Sequence, residues 1–280
     1  MKIAISADTS IDLTKDLIEQ NNIHTIPFEI LLGDKQGYDG EITCDEIISF
    51  VDETNILPKT AAVNQFRLEE YFENLKKDYD AIIHFTLSSQ LSCTNNNAVE
   101  AAKKFENVYV IDSLSLSTGV GLLVLYACKL VNEGLEAKDI YEKCLARVPA
   151  VQASFALKRL DYLYKGGRCS SLAYFGANIF GIRPQIIVKD GKMISGKKYK
   201  GDFAKVVKAY CRDVLEQFNT PDLSVGFVTY TTAEQDVLDI AINAMKERGF
   251  KEVYVTRAGG TITSHCGENC LGILYLNDGE

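Results

Sequence analysis

The sequence predicts a mixed α/β protein: a parallel-sheet α/β domain over residues 1–150 and an α+β domain with a mixed sheet over residues 151–280. Three observations carry that prediction. In the first half, apolar runs of strand length alternate with segments whose apolar residues recur at helical spacing, the rhythm of a parallel sheet covered by helices. Residues 186–194 are two strand-like runs around Asp190-Gly191, a pair suited to the positive φ required at both positions of a tight hairpin turn. After residue 200, two long helical patterns alternate with three apolar runs of strand length.

In chain order, residues 3–6 read as a strand, 14–21 as a helix, 23–32 as a strand and 44–52 as a helix. Thr43 stands three residues before Glu46, the spacing at which each side chain satisfies the other's backbone N–H. Asn64 caps a helix running to Lys77, in which Phe66, Leu68, Tyr71, Phe72 and Leu75 fall on one face. Strands over 81–87 and 108–111 flank a helix over 95–104. Asp8, residues 86–92 and residues 112–117 therefore lie at strand carboxyl ends, where the binding loops of a parallel sheet collect. The longest apolar stretch, 120–131, contains Lys129 and is shorter than the about 20 residues that cross a bilayer, so it reads as a buried helix. Gly134 and a helix over 137–148, ended by Pro149, mark the junction of the two halves. The second half continues with helices over 203–218 and 233–248 and strands over 225–230, 252–256 and 271–275.

The net charge of −8 disfavours nucleic acid and permanent attachment to anionic membrane, both of which require phosphates to be neutralised. Charge is unevenly spread. Residues 151–210 hold twelve basic and three acidic side chains, +9, which leaves −17 elsewhere. Such a run is either a solvated face or a docking face. The chain opens directly on a strand, without an export signal, and its eight cysteines are scattered, without the density of a disulfide framework. A cytoplasmic protein with reduced thiols is the expectation.

Four clusters bear chemistry. Ser88 to Thr94 follows a strand and precedes a helix, so its hydroxyls and N–H groups can converge on an anion; Ser and Thr there can equally be plain caps. The turn from Asp112 to Gly121 lacks the third glycine of a dinucleotide site and the lysine of a P-loop, and no nucleotide cofactor follows from it. His265, Cys266 and Cys270 are zinc-type residues, but adjacent His and Cys do not readily face one ion, and no metal is expected. His265 could instead activate Ser92 or Ser89 as a nucleophile, although no Gly-x-Ser-x-Gly elbow is present.

Several stretches together resemble the DegV family of bacterial fatty-acid-binding proteins. Residues 5–13, Ile-Ser-Ala-Asp-Thr-Ser-Ile-Asp-Leu, are similar to its opening Thr-Asp-Ser-Thr-x-Asp-Leu. Pro58-Lys59-Thr60 resembles the start of its Thr-Ser-Gln-Pro-Ser stretch, and Ser88 to Thr94 its Ser-Ser-x-Leu-Ser-Gly-Thr turn. Asp112-Ser113, Ser117, Gly119 and Gly121, then Leu160 to Arg168, Gly181 to Pro184, Asp190-Gly191 and Ser264 to Gly267, match in order.

The resemblance implies a non-catalytic carrier with two domains and a fatty-acid carboxylate where they meet. By matched position, Thr60 on a loop, Ser92 and the Cys93 backbone N–H at the strand-to-helix turn, and His265 on a late loop would hold that head group. The tail requires an apolar tunnel, for which Tyr174, Phe175, Ile179 and Phe180 are the candidate lining. The implied partner is a separate kinase that phosphorylates the bound carboxylate from ATP and feeds phospholipid synthesis, with Arg168 and Lys200 as candidate docking residues. A Ser/His acyl hydrolase or acyl transferase using the same pocket is the alternative. Three departures stand out: Ala61-Ala62-Val63-Asn64 replaces Ser-Gln-Pro-Ser, Cys93 occupies a glycine position that could call for positive φ, and Lys200 stands where the family often has Arg.

Overall fold

In the computed structural model, which describes residues 1–169 and 182–279, strands β1 (Ile3–Asp8) and β2 (Ile23–Ile26) pair in parallel. Helix α1 (Lys15–Gln20), capped by the Thr14 hydroxyl, connects them. The single strand expected over 23–32 is broken. Pro27, with no N–H to give a ladder and a fixed φ, ends β2, and β3 (Glu29–Leu32) enters a separate antiparallel sheet between β4 (Lys35–Tyr38) and β5 (Lys59–Ala61). Thr60 therefore sits on a strand and not on a loop. Helix α2 (Cys44–Thr54) has the predicted capping box, and α3 (Gln65–Leu75) is capped by the Asn64 side chain. Strand β6 (Ala81–Thr86), helix α4 (Thr94–Ala102) and strand β7 (Val108–Asp112) complete a parallel sheet in the order β2-β1-β6-β7.

The apolar stretch becomes α5 (Thr118–Asn132), buried nearly all round, as expected of a helix without a polar face. Two glycines let it in. A Cβ on Gly119 would stand 3.1 Å from Val151 Cγ1 of the second sheet, and one on Gly121 would stand 3.1 Å from the Ile11 carbonyl. Helix α6 (Ala137–Arg147) packs on α5 and β7, and α7 (Asp161–Lys165) follows β8 (Val151–Leu157), a strand that the sequence patterns did not reveal. Strands β9 (Arg183–Lys189) and β10 (Lys192–Tyr199) form the expected hairpin, with φ of 50° at Asp190 and 77° at Gly191. Helices α8 (Phe203–Gln217) and α9 (Gln235–Arg248) alternate with β11 (Val225–Tyr230) and β12 (Glu252–Arg257), and α10 (Gly260–Cys266) leads into β13 (Cys270–Leu276).

The second sheet is mixed, in the order β10-β9-β8-β13-β11-β12, with β11 and β12 its parallel pair. One core joins the two larger sheets. Ile5 and Phe85 of the parallel sheet, Leu123 and Val124 of α5, and Phe227 and Leu274 of the mixed sheet belong to a single buried cluster. Burial of each such side chain contributes about 1.5–3 kcal/mol, so α5 is the main fastening between the layers. Among the described residues no helix is long and apolar enough to cross a membrane. Tyr174, Phe175, Ile179 and Phe180 lie outside the described residues.

Candidate functional site

A cavity of about 450 Å³ opens where the turn after β6, strand β5 and helix α10 meet. Thr60, Ser92, Cys93 and His265 all line it, and so does Arg168. Much of the remaining wall is apolar, including Phe28, Leu87, Leu116, Met193 and Ile262. Lys200 is exposed beyond the end of β10 and is not part of this wall.

The turn carrying Ser92 is held from three directions. The Leu87 N–H donates to Asp8 Oδ2 at 2.7 Å, the Ser89 N–H to Asp112 Oδ1 at 3.1 Å, and the Ser88 hydroxyl to the Gly191 carbonyl of the hairpin at 2.8 Å. The carboxylates ending β1 and β7 thus hold a turn that follows β6. Within it, Ser92 Oγ accepts from the Thr94 N–H at 3.2 Å and lies 3.0 Å from Thr94 Oγ1, which itself accepts from the Val63 N–H at 3.2 Å. If Thr94 donates to Ser92, the Ser92 proton is left for the cavity. Cys93 has φ −77° and ψ −4°, so no positive φ is needed at the family's glycine position and the side chain introduces no backbone strain there. Among the described residues its N–H has no partner.

His265 stands on α10, not on a loop. Its Nε2 lies 2.9 Å from Thr60 Oγ1, a contact across 205 residues of sequence. Burial first, and then the positive charge of Arg168, push the imidazole pKa down to about 4, so the ring is neutral at physiological pH. The helix is fastened at its start by two distant aspartate side chains. Asp12 Oδ1 accepts from the Gly259 N–H at 2.8 Å, and Asp39 accepts from the N–H groups of Gly260 at 2.7 Å and Thr261 at 3.2 Å. These bonds to orphan helix donors, charge-assisted at Asp39, fix the position of the whole segment.

Thr261 was not among the residues singled out by sequence. It lines the cavity one turn before His265 on α10, is 2% exposed, and its hydroxyl has no hydrogen-bond partner among the described residues. Its four-residue spacing from His265 was the available signal, readable only once the segment is known to be helical. Among the described residues no group of three or more His, Cys, Asp or Glu could hold a metal ion. Ser92 is engaged with Thr94 and His265 with Thr60, and among the described residues these two side chains share no hydrogen bond with each other.

Fold and cavity together define a mixed α/β protein with an amphipathic cavity, polar at one end and apolar along its walls. The chain belongs to the DegV family, whose sequence profile matches residues 2–278. It is 31% identical over 280 residues to a DegV domain-containing protein of Clostridium acetobutylicum, covering 98% of each chain. It is 29% identical over 282 residues to a Thermotoga maritima protein named fatty acid-binding protein, covering 97% of this chain and 96% of that one. The crystal structure of DegV from Bacillus subtilis, described as a fatty acid binding protein, superposes with a TM-score of 0.86 at 25% identity, over 99% of both chains.

Proposed function

We propose that this protein is a cytoplasmic, non-catalytic carrier that binds a long-chain fatty acid and presents its carboxylate to a separate kinase. The Thr60 and Ser92 hydroxyls, the Cys93 N–H and the His265 ring hold the head group, and the tail follows the apolar wall. The observation that carries this reading is the convergence of those four residues, from β5, the turn after β6 and α10, on one otherwise largely apolar cavity. A carboxylate leaving water needs several donors, and neutral hydroxyls, an amide and an imidazole supply them without a buried full charge. The tail then provides the driving force, at about 0.8 kcal/mol per buried methylene. Fatty-acid binding by the Thermotoga maritima and Bacillus subtilis relatives supports the ligand class. The bonding of Ser92 to Thr94 and of His265 to Thr60 supports a carrier over an acyl hydrolase, in which the imidazole would be directed at the nucleophile.

Denaturing extraction of the purified protein followed by mass spectrometry tests the reading. A stoichiometric long-chain fatty acid, with affinity that rises with chain length and no turnover of acyl esters, is the expected result. Equal affinity for acetate and palmitate would remove the carrier, and steady ester turnover would replace it with the hydrolase. Phosphorylation of the bound acid by a kinase and ATP, measured with and without this protein, tests the presentation step.

A further inference from the structure

Of the eight cysteines, Cys93 is exposed and the other seven are buried. It stands where the family pattern has glycine, so this chain adds a thiol at the turn that leads into α4. The residue lines the 450 Å³ cavity together with Ser92 and Thr261. Its side chain is not spent on structure. Helices α1, α2, α3 and α8 each start on a side chain that accepts from the backbone, those of Thr14, Thr43, Asn64 and Asp202, whereas Cys93 starts α4 without such a bond. Among the described residues its thiol has no hydrogen-bond partner.

A second observation points to an oxygen-bearing occupant. The Thr261 hydroxyl is buried against the same cavity and unpartnered among the described residues, although buried hydroxyls are ordinarily satisfied. The amide and the thiol of one cysteine are separated only by Cα and Cβ, about 3–4 Å. An acyl oxygen that accepts the Cys93 N–H therefore brings its carbonyl carbon within one side-chain rotation of the thiol, near the about 3–3.5 Å from which a nucleophile attacks. A free carboxylate does not react there, because its charge repels a thiolate and it has no good leaving group. An acyl group that carries such a leaving group does react.

We propose that Cys93 is a covalent acyl-acceptor site, whose thiol takes a long-chain acyl group from an activated donor, an acyl thioester or an acyl phosphate, with its tail in the cavity. The proposal rests on the fatty-acid reading for the seat of the tail and adds a covalent state to it. Sulfur adds to the carbonyl carbon, and a new S–C bond forms as the bond from that carbon to the leaving sulfur or phosphate oxygen breaks. The thiol proton departs with the released thiol or hydrogen phosphate, and nothing is oxidised or reduced. Charge that builds on the carbonyl oxygen is met by the Cys93 N–H and the Ser92 hydroxyl, the donors assigned to the carboxylate. One acyl group is taken per chain, so the step is a modification of the carrier and not a turnover.

The test incubates the delipidated full-length protein with palmitoyl-coenzyme A or with palmitoyl phosphate, each below its micellar concentration, and reads intact mass. One palmitoyl group per chain is expected, mapped to Cys93 by peptide mass spectrometry, released by neutral hydroxylamine and absent from Cys93→Ala. Peptide mapping of the parent decides the site even if that variant does not fold. Labelling by one donor alone supports the site and identifies its donor class. The palmitoyl donor should react at least about tenfold faster than the acetyl donor with the same leaving group, because the cavity holds its tail beside the thiol. No adduct with either donor, an adduct spread over other cysteines, or equal rates for acetyl and palmitoyl groups overturns the proposal. Calorimetry with free palmitate separates this from the carrier reading. Palmitate binding without any adduct overturns only the acceptor site, whereas a chain-length-dependent adduct at Cys93 without palmitate binding upholds the site and removes the carboxylate reading.

Discussion

Replacing Asp39 by Ala removes the carboxylate that receives the Gly260 and Thr261 N–H groups and, at 3.2 Å, the Thr9 hydroxyl. Hydrogen bonds to a charged group are worth about 1.5–3 kcal/mol each, which puts the gross loss for the two amides at about 3–6 kcal/mol. Two effects oppose it. The Asp39 carboxylate is itself buried, and its charge is one of the smaller causes, after burial, of the raised pKa values of Asp8 and Asp12. Desolvation and repulsion of this kind return part of the gross figure, leaving a net loss of about 2–4 kcal/mol. Asp39→Asn keeps one acceptor and should lose about half as much. Urea denaturation followed by far-ultraviolet circular dichroism measures both, since the chain has no tryptophan. Fatty-acid affinity should fall in the same order, because Thr261 and His265 both ride on α10. An Ala variant within about 0.5 kcal/mol of the parent would refute the idea that Asp39 fastens this helix.

Ser92→Ala should weaken fatty-acid binding by about 1–3 kcal/mol, read by calorimetry, with unchanged affinity removing Ser92 from the head-group site. Thr261→Val replaces an unpartnered buried hydroxyl by a methyl of similar shape and should stabilise the empty protein by about 1 kcal/mol in thermal unfolding; a destabilised variant would mean that the hydroxyl is satisfied. Burial pushes Asp12 up to about 8, above its unfolded value, so its contribution to stability is present below that unfolded value and is lost as pH rises through about 8. Denaturation at a series of pH values should show a decline over that window, flattened in Asp12→Asn. Conversely, His265 lies below its unfolded value, at about 4, so its contribution is lost as pH falls from about 6.5 toward 4; NMR titration of its ring should place it there in the empty protein and higher when a carboxylate is bound.

Local chemistry was legible in the sequence because it is settled within a few residues. The capping box of Thr43 and Glu46, the Asn64 cap, the Asp190-Gly191 turn and the alternation that builds the parallel sheet each depend on short-range geometry, and each is present in the structure. Elements with weak local signals were decided elsewhere. Strand β5 is three residues long and exists because it pairs with β3, whereas α10 is seven residues long and begins on aspartate side chains more than two hundred positions away. That is why Thr60 and His265 were read as loop residues. Family resemblance named Thr60, Ser92, Cys93 and His265 from sequence, but their placement around one cavity required β5, α4 and α10 to be packed around the same turn. The Thr261 hydroxyl, unpartnered among the described residues, could not be read in advance, because a missing hydrogen bond is a property of everything that surrounds a side chain. Residue order alone was enough for the elements with strong local signals and for the inventory of hydroxyl and imidazole groups; β5, β8, α10 and the burial of particular hydroxyls came from tertiary packing, since burial is set by contacts between segments far apart in the chain.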